Sequence, residues 1–181
     1  MCRIILGGTG GQGVITLGKL LAIAGMDEGK EVSCYPIYGA EIRGGYAFST
    51  IIISESPIPS PIVSKADVGI FLEPFAYDYL NSLVVKNGLL VINADLVKPK
   101  TEKKRKIFML PADSLAQKLG DKRCANMVVA GFLAKKARED QKILRLFPTL
   151  NSLKKTLPAV FPGKPGAVSL NEKALLAGYQ A

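Results

Sequence analysis

Five glycines fall within seven residues, Gly7-Gly8-Thr9-Gly10-Gly11-Gln12-Gly13, directly after the apolar run Ile4-Ile5-Leu6 and directly before a helical pattern that opens at Val14. A strand that breaks into glycine and restarts as a helix exposes unpaired first-turn amides at the positive end of a helix dipole. Phosphate or carboxylate can sit there. Gly8, Gly10 and Gly13 also meet the spacing G-x-G-x-x-G, which alone is a weak signal for a dinucleotide site.

The residues that follow fit an open α/β sheet. Val14, Leu17, Leu21 and Ala24 recur at helical spacing, which predicts a helix over about Gly11 to Asp27 with Gly29 as its stop. Glu31–Tyr35 reads as a second strand, and a right-handed crossover sets it parallel to the first. A dinucleotide site wants an acid at the end of that strand. The chain has Cys34-Tyr35-Pro36-Ile37 instead, and its first acid beyond is Glu41, so the dinucleotide fingerprint is incomplete.

Further strands are expected at Tyr46–Ser54, Asp67–Leu72, Leu89–Ile92 and Ile107–Leu110. Helices are expected from Pro74 to Lys86, stopped by Asn87-Gly88, and from a cap at Asp113 to Leu119, closed by Gly120. Met127–Ala134 is non-polar on every side and must be covered on every side, in a buried crossover or at a subunit interface; the interface is the slightly favoured reading. The fold class is therefore α/β, a doubly wound, mostly parallel, Rossmann-like sheet. Residues 1–181 form a single domain with a small helical C-terminal appendage from about residue 148.

Composition removes several chemistries. There is no histidine, so Ser-His-Asp triads and histidine metal sites are excluded. Cys2, Cys34 and Cys124 are widely separated and form no C-x-x-C pair, which argues against a disulfide framework or a metal cluster held by this chain alone. No apolar stretch reaches the ~18 residues of a membrane helix, and the N-terminus opens on a core strand; a cytoplasmic protein with no membrane role is expected. The chain is 48% hydrophobic with a mean hydropathy of +0.22, which fits either a large buried sheet or a surface buried against another subunit.

Charge is uneven. Residues 1–90 hold six basic and eight acidic side chains, and residues 91–181 hold eighteen and seven. The densest basic run, Lys98 to Lys106, carries no aromatic residue to stack a base, so it reads as a solvated loop and not as a nucleic-acid site.

A second glycine-flanked stretch follows the second strand: Tyr38-Gly39-Ala40-Glu41-Ile42-Arg43-Gly44-Gly45. Open sheets bind ligands at the carboxyl ends of their strands, so Glu41 and Arg43 are candidates to line a pocket with Gly10–Gly13, the arginine for its bidentate grip on carboxylate or phosphate. A structural turn pinned by a Glu–Arg pair is the plainer reading.

The two motifs, in this order and separation, closely resemble the gamma subunit or gamma domain of the 2-oxoacid:ferredoxin oxidoreductases. Ala66-Asp67-Val68 before a strand, Asn126-Met127 opening a late helix, and Asn171 through Gly178 extend the likeness over nearly the whole chain. The resemblance implies a subunit of an enzyme that decarboxylates a 2-oxoacid oxidatively on thiamine diphosphate with Mg, passes electrons through iron–sulfur clusters to ferredoxin, and delivers the acyl group to coenzyme A.

It implies that those cofactors belong to alpha, beta and delta partners or fused equivalents, that this chain binds none alone and supplies no catalytic residue alone, and that it shapes the coenzyme A side of the active site. The matching positions are Gly8, Gly10, Gly11, Gln12, Gly13, Tyr38, Gly39, Glu41, Arg43, Gly44 and Gly45. Two alternatives stay open: the beta subunit of indolepyruvate oxidoreductase, which carries a similar domain, and a free-standing nucleotide-binding Rossmann-like protein.

Overall fold

A computed structural model of the chain describes residues 1–38, 45–99, 105–139 and 141–181, with the backbone alone for Tyr38, Gln141 and Lys142. Six strands form one sheet in the order β2-β3-β1-β4-β5-β6: β1 Cys2–Thr9, β2 Glu31–Tyr38, β3 Tyr46–Ser54, β4 Ala66–Phe71, β5 Val84–Asn93 and β6 Lys106–Leu110. Pairings β1–β4, β4–β5 and β5–β6 are parallel, whereas β3 runs antiparallel to both β1 and β2. Five strands therefore point one way, as an α/β reading requires.

The opening crossover differs from a simple βαβ unit. β2 is parallel to β1 but is not its neighbour, because β3 lies between them. Burial explains the order. Ile51, Ile52 and Ile53 of β3 are buried completely or nearly so, which demands a central place. Tyr35, Pro36 and Ile37 of β2 are exposed, and proline is tolerated on an edge strand.

Helices cover the two faces. On one side, α1 (Val14–Asp27), α4 (Ala125–Glu139), α6 (Leu150–Val160) and α7 (Pro165–Gln180) close the larger core over β1, β3, β4 and β5. On the other, α2 (Pro74–Leu80) packs with Ile5, Phe71, Leu90 and Ile92. Residues 125–134 of α4 are all buried, and they are buried within this chain, chiefly against α7. The apolar helix thus needs no second subunit to cover it. The two helices cross almost in backbone contact: a Cβ at Gly131 would lie 1.9 Å from the Leu175 carbonyl oxygen, and one at Gly178 would lie 1.8 Å from that of Val128.

Three local expectations are corrected. α1 begins at Val14, after the glycine turn, since Gly11 and Gly13 adopt positive φ of 96° and 70°. α2 ends at Leu80; a 3-10 turn over Asn81–Leu83 follows, and Val84 and Val85 enter β5, where β-branched side chains fit the pleat. A bulge between the Ala66–Val84 and Val68–Leu89 pairs takes up Asn87-Gly88. α3 (Ala112–Lys118) is not capped by Asp113, which lies in its first turn. Asp95, beyond the end of β5, accepts hydrogen bonds from the Ser114 amide (2.8 Å) and hydroxyl (2.6 Å) at that helix start.

Candidate functional site

The turn sits where the strands end. β1 finishes at Thr9, paired with Tyr46 at the start of β3, and the Gly10 N–H donates to the Gly45 carbonyl at 2.8 Å. This bond joins the glycine turn to the end of the 38–45 stretch, so the two sequence motifs meet at the carboxyl edge of the sheet. Residues 39–44, including Gly39, Glu41, Arg43 and Gly44, lie outside the described residues; Tyr38 closes β2 opposite Ala47.

Much of the turn serves its own architecture. The Gln12 carboxamide accepts from the Thr9 N–H (2.8 Å) and donates to the Leu72 carbonyl (3.3 Å), which also accepts from buried Asn93 (3.3 Å). The ends of β1, β4 and β5 are thereby tied around one carbonyl oxygen. Asn126, at the start of α4, donates to the Gly13 carbonyl at 2.9 Å and fixes the starts of α1 and α4 together. At Gly8 a Cβ would fall 2.6 Å from the Gln12 side chain. With the Gly10 N–H given to Gly45 and the Gln12 N–H to the Thr9 carbonyl (3.1 Å), the N–H groups of Gly11 and Gly13 have no partner among the described residues. Among the described residues no side chain caps α1.

Two clefts border these amides. One, of about 190 Å³, is lined by Gly11, Gln12, Leu72, Asp113, Lys122 and Arg123; the other, of about 380 Å³, by Gly11, Gly13, Thr16, Arg123, Lys164 and Asn171 among others. Lys122 pairs with Asp113 at 2.9 Å, and Arg123 pairs with Asp121 at 2.7 Å. Hydrogen bonding to Arg123 holds the Asp121 carboxyl below its usual range, and Asp113 raises the Lys122 ammonium. Lys122, Arg123, Lys164 and Asn126 were not singled out for this site from sequence. An isolated polar Asn126 ahead of an apolar helical run was the available signal, since a buried carboxamide there requires a partner.

The sheet order also bears on the dinucleotide reading. With β3 between β1 and β2, the end of β2 stands two strand spacings, about 10 Å, from β1. An acid there is too remote for the ribose contact that a directly adjacent β2 makes. Among the described residues no group of three or more acidic or cysteine side chains could hold a metal ion, and no helix is long and apolar enough to cross a membrane.

The family model for pyruvate ferredoxin/flavodoxin oxidoreductase matches residues 3–181. The chain belongs to this family. Among curated relatives, the ketoisovalerate oxidoreductase subunit VorA of Methanothermobacter thermautotrophicus is 30% identical over 180 residues, covering 98% of this chain and 36% of the relative. The chain thus spans about a third of that relative's length.

The gamma subunit of a keto/oxoacid ferredoxin oxidoreductase from Geobacter sulfurreducens superposes with a TM-score of 0.82 at 25% identity, covering 99% of this chain and 94% of that one. A 2-oxoglutarate:ferredoxin oxidoreductase from Magnetococcus marinus shares the fold at a TM-score of 0.84 and 24% identity, with 99% of this chain matching 30% of that one. The fold is accordingly that of a gamma subunit, and the chain matches both a separate chain of similar length and part of longer ones.

Proposed function

We propose that this chain is the gamma unit of a multisubunit 2-oxoacid:ferredoxin oxidoreductase, packing on thiamine-binding partners and shaping the side of their active site that receives coenzyme A. The oxidative decarboxylation of a 2-oxoacid to acyl-CoA, with ferredoxin reduced, belongs to the assembly; alpha, beta and delta partners or fused equivalents hold thiamine diphosphate, Mg and the iron–sulfur clusters. Family membership across residues 3–181 supports the assembly role. For the coenzyme A side, the supporting observation is the Gly10–Gly45 hydrogen bond, which ties the glycine turn to the residue that ends the motif containing Glu41 and Arg43.

In this reading the unpartnered amides of Gly11 and Gly13 and the Arg43 guanidinium face the anionic groups of coenzyme A or the partner surface beside them. Lys122 and Arg123 are each paired with an aspartate of the same clefts, so Lys164 supplies the net positive charge among the described lining side chains. Arg43→Ala in the reconstituted complex is expected to raise the KM for coenzyme A about tenfold or more, as loss of a charge-assisted contact does, with the KM for the 2-oxoacid little changed. An unchanged coenzyme A dependence in an intact complex overturns this assignment.

A further inference from the structure

The larger cleft beside the glycine turn is bordered by two helix starts. α1 opens from Gly13 and α7 from Lys164, and both residues line this space of about 380 Å³, with Thr16 and Ala167 from the first turns. Among the described residues no side chain caps either helix. The first helical hydrogen bonds run from the Leu17 N–H to the Gly13 carbonyl and from the Val168 N–H to the Lys164 carbonyl. The amides ahead of them have no partner among the described residues, so two positive helix ends border one cavity. Side-chain charge agrees: Arg123 is held by Asp121, whereas Lys164 has no ion pair among the described residues.

An independent observation lies in the buried wall. Asn171, in the interior of α7, is 7% exposed. Its Nδ2 donates to the Ala167 carbonyl one turn back at 2.8 Å, and its Oδ1 receives no hydrogen bond from a described residue. That oxygen is not sealed inside the protein, and its residue lines the cleft. A buried carboxamide oxygen is costly to leave unpaired, and in a helix interior it caps nothing, so it calls for a donor from outside the chain. Phe161 and Leu170 add an apolar wall.

We infer that this cleft binds a nucleoside phosphate. The phosphate lies against Lys164 and the first-turn amides of α1 and α7, an N–H or O–H of the base or sugar donates to Asn171 Oδ1, and the base rests on Phe161 and Leu170. A bare inorganic anion leaves the apolar wall uncovered. The same chemistry has two sources. One is the 3′-phosphoadenosine end of coenzyme A, an assignment that rests on the function proposed above; the other is a free nucleotide.

The test is calorimetric titration of the full chain with adenosine 3′,5′-bisphosphate, which reproduces that end of coenzyme A, with AMP as the free nucleotide and with adenosine. At least one of the two nucleotides is expected to bind saturably at one site per chain, and adenosine at least about tenfold more weakly. Lys164→Ala should raise the nucleotide Kd about tenfold and Thr16→Val about threefold; neither alters a buried side chain. Asn171→Leu should raise it about tenfold while changing the Kd for inorganic phosphate less than about twofold. Lys65→Ala, at an exposed position ahead of β4 at the opposite edge of the sheet, should leave the Kd within about twofold.

Tighter binding of the bisphosphate than of AMP assigns the site to coenzyme A, and equal binding assigns it to a free nucleotide; both uphold the site. Three results overturn it: no saturable binding of either nucleotide, a Kd unmoved by Lys164→Ala and Thr16→Val, or one that Lys65→Ala raises as far as Lys164→Ala, which is attraction to the net charge of +9. The proposed function fails separately, when Arg43→Ala leaves the coenzyme A dependence of the intact complex unchanged while the isolated chain still binds nucleotide.

Discussion

Replacing Gly13 by Ala tests whether the glycine turn is held by backbone conformation alone or also by its contact with α4. Gly13 has φ 70°, a conformation that costs an L-residue about 1–2 kcal/mol. Its new Cβ would also lie 2.3 Å from Asn126 Nδ2, so the carboxamide must retreat by about 1 Å. Asn126 is 3% exposed and donates to the Gly13 carbonyl, so retreat strands a buried polar group at about 1–3 kcal/mol. The expected loss is the sum, about 2–5 kcal/mol.

Gly11→Ala is the control. Its φ is 96°, but nothing lies within 4 Å of its Cβ position, so only the backbone penalty of about 1–2 kcal/mol applies. Urea unfolding followed by far-UV circular dichroism reads the difference as a shift in midpoint at constant slope. The Gly13→Ala/Asn126→Ala double variant should lose about 1–2 kcal/mol less than the sum of its single variants, because one displacement serves both. Equal losses for Gly11→Ala and Gly13→Ala, or strict additivity in the cycle, refute the argument.

Two further outcomes follow from packing and charge. Gly178→Ala forces α4 and α7 apart by about 1.5 Å and should destabilise by about 3 kcal/mol or more, whereas Gly166→Ala, in open space on the same helix, should change stability by less than about 1 kcal/mol; thermal melts distinguish them. Glu28 links the end of α1 to the start of α6 through the Thr149 N–H (2.7 Å) and pairs with Lys30. Burial pushes its carboxyl up, but hydrogen bonds from Lys30, Ser152 and Thr149 outweigh burial and bring the pKa from 4.5 down to about 2. A depressed carboxylate stabilises the fold fully above about pH 4.5 and loses that contribution as pH falls toward 2. With solvent screening of the pair, wild type should lose about 1 kcal/mol more than Glu28→Gln across that interval, measured by denaturant titration at each pH.

The residues that announced the fold are those whose pattern is local. Ile4-Ile5-Leu6 before glycine, the stripe Val14, Leu17, Leu21 and Ala24, and the apolar β3 each specify an element from their own neighbours. Strand order is a long-range property: that β3 enters between β1 and β2 depends on the relative burial of Ile51–Ile53 and Tyr35–Ile37, and that comparison lies outside either segment's own periodicity. The cover over α4 is non-local in the same way, since Gly131 meets Leu175 across more than forty residues. At the candidate site, the first glycine motif was legible because glycine marks unusual backbone, here the positive φ of Gly11 and Gly13. Asn126 and the side chains of Lys122, Arg123 and Lys164 arrive from distant helices, and no short spacing connects them to Gly11 or Gly13.

The glycine turn invites a single explanation, yet its residues divide. A Cβ at Gly7 would meet that of Ala76 at 2.7 Å, and one at Gly8 would meet Gln12 at 2.6 Å and Val14 at 2.8 Å. Those two glycines let α2 and α1 pack down on β1, and any chain with this helix placement needs them whatever it binds. Gly13 combines a left-handed conformation with the Asn126 contact, again a demand of the fold. Gly11 alone among these four has open space around it, and it borders both clefts with an amide that no described residue takes. A demand from a ligand or a partner is therefore read most cleanly at Gly11, where a methyl group strains the backbone modestly and otherwise projects into the space that an occupant would fill.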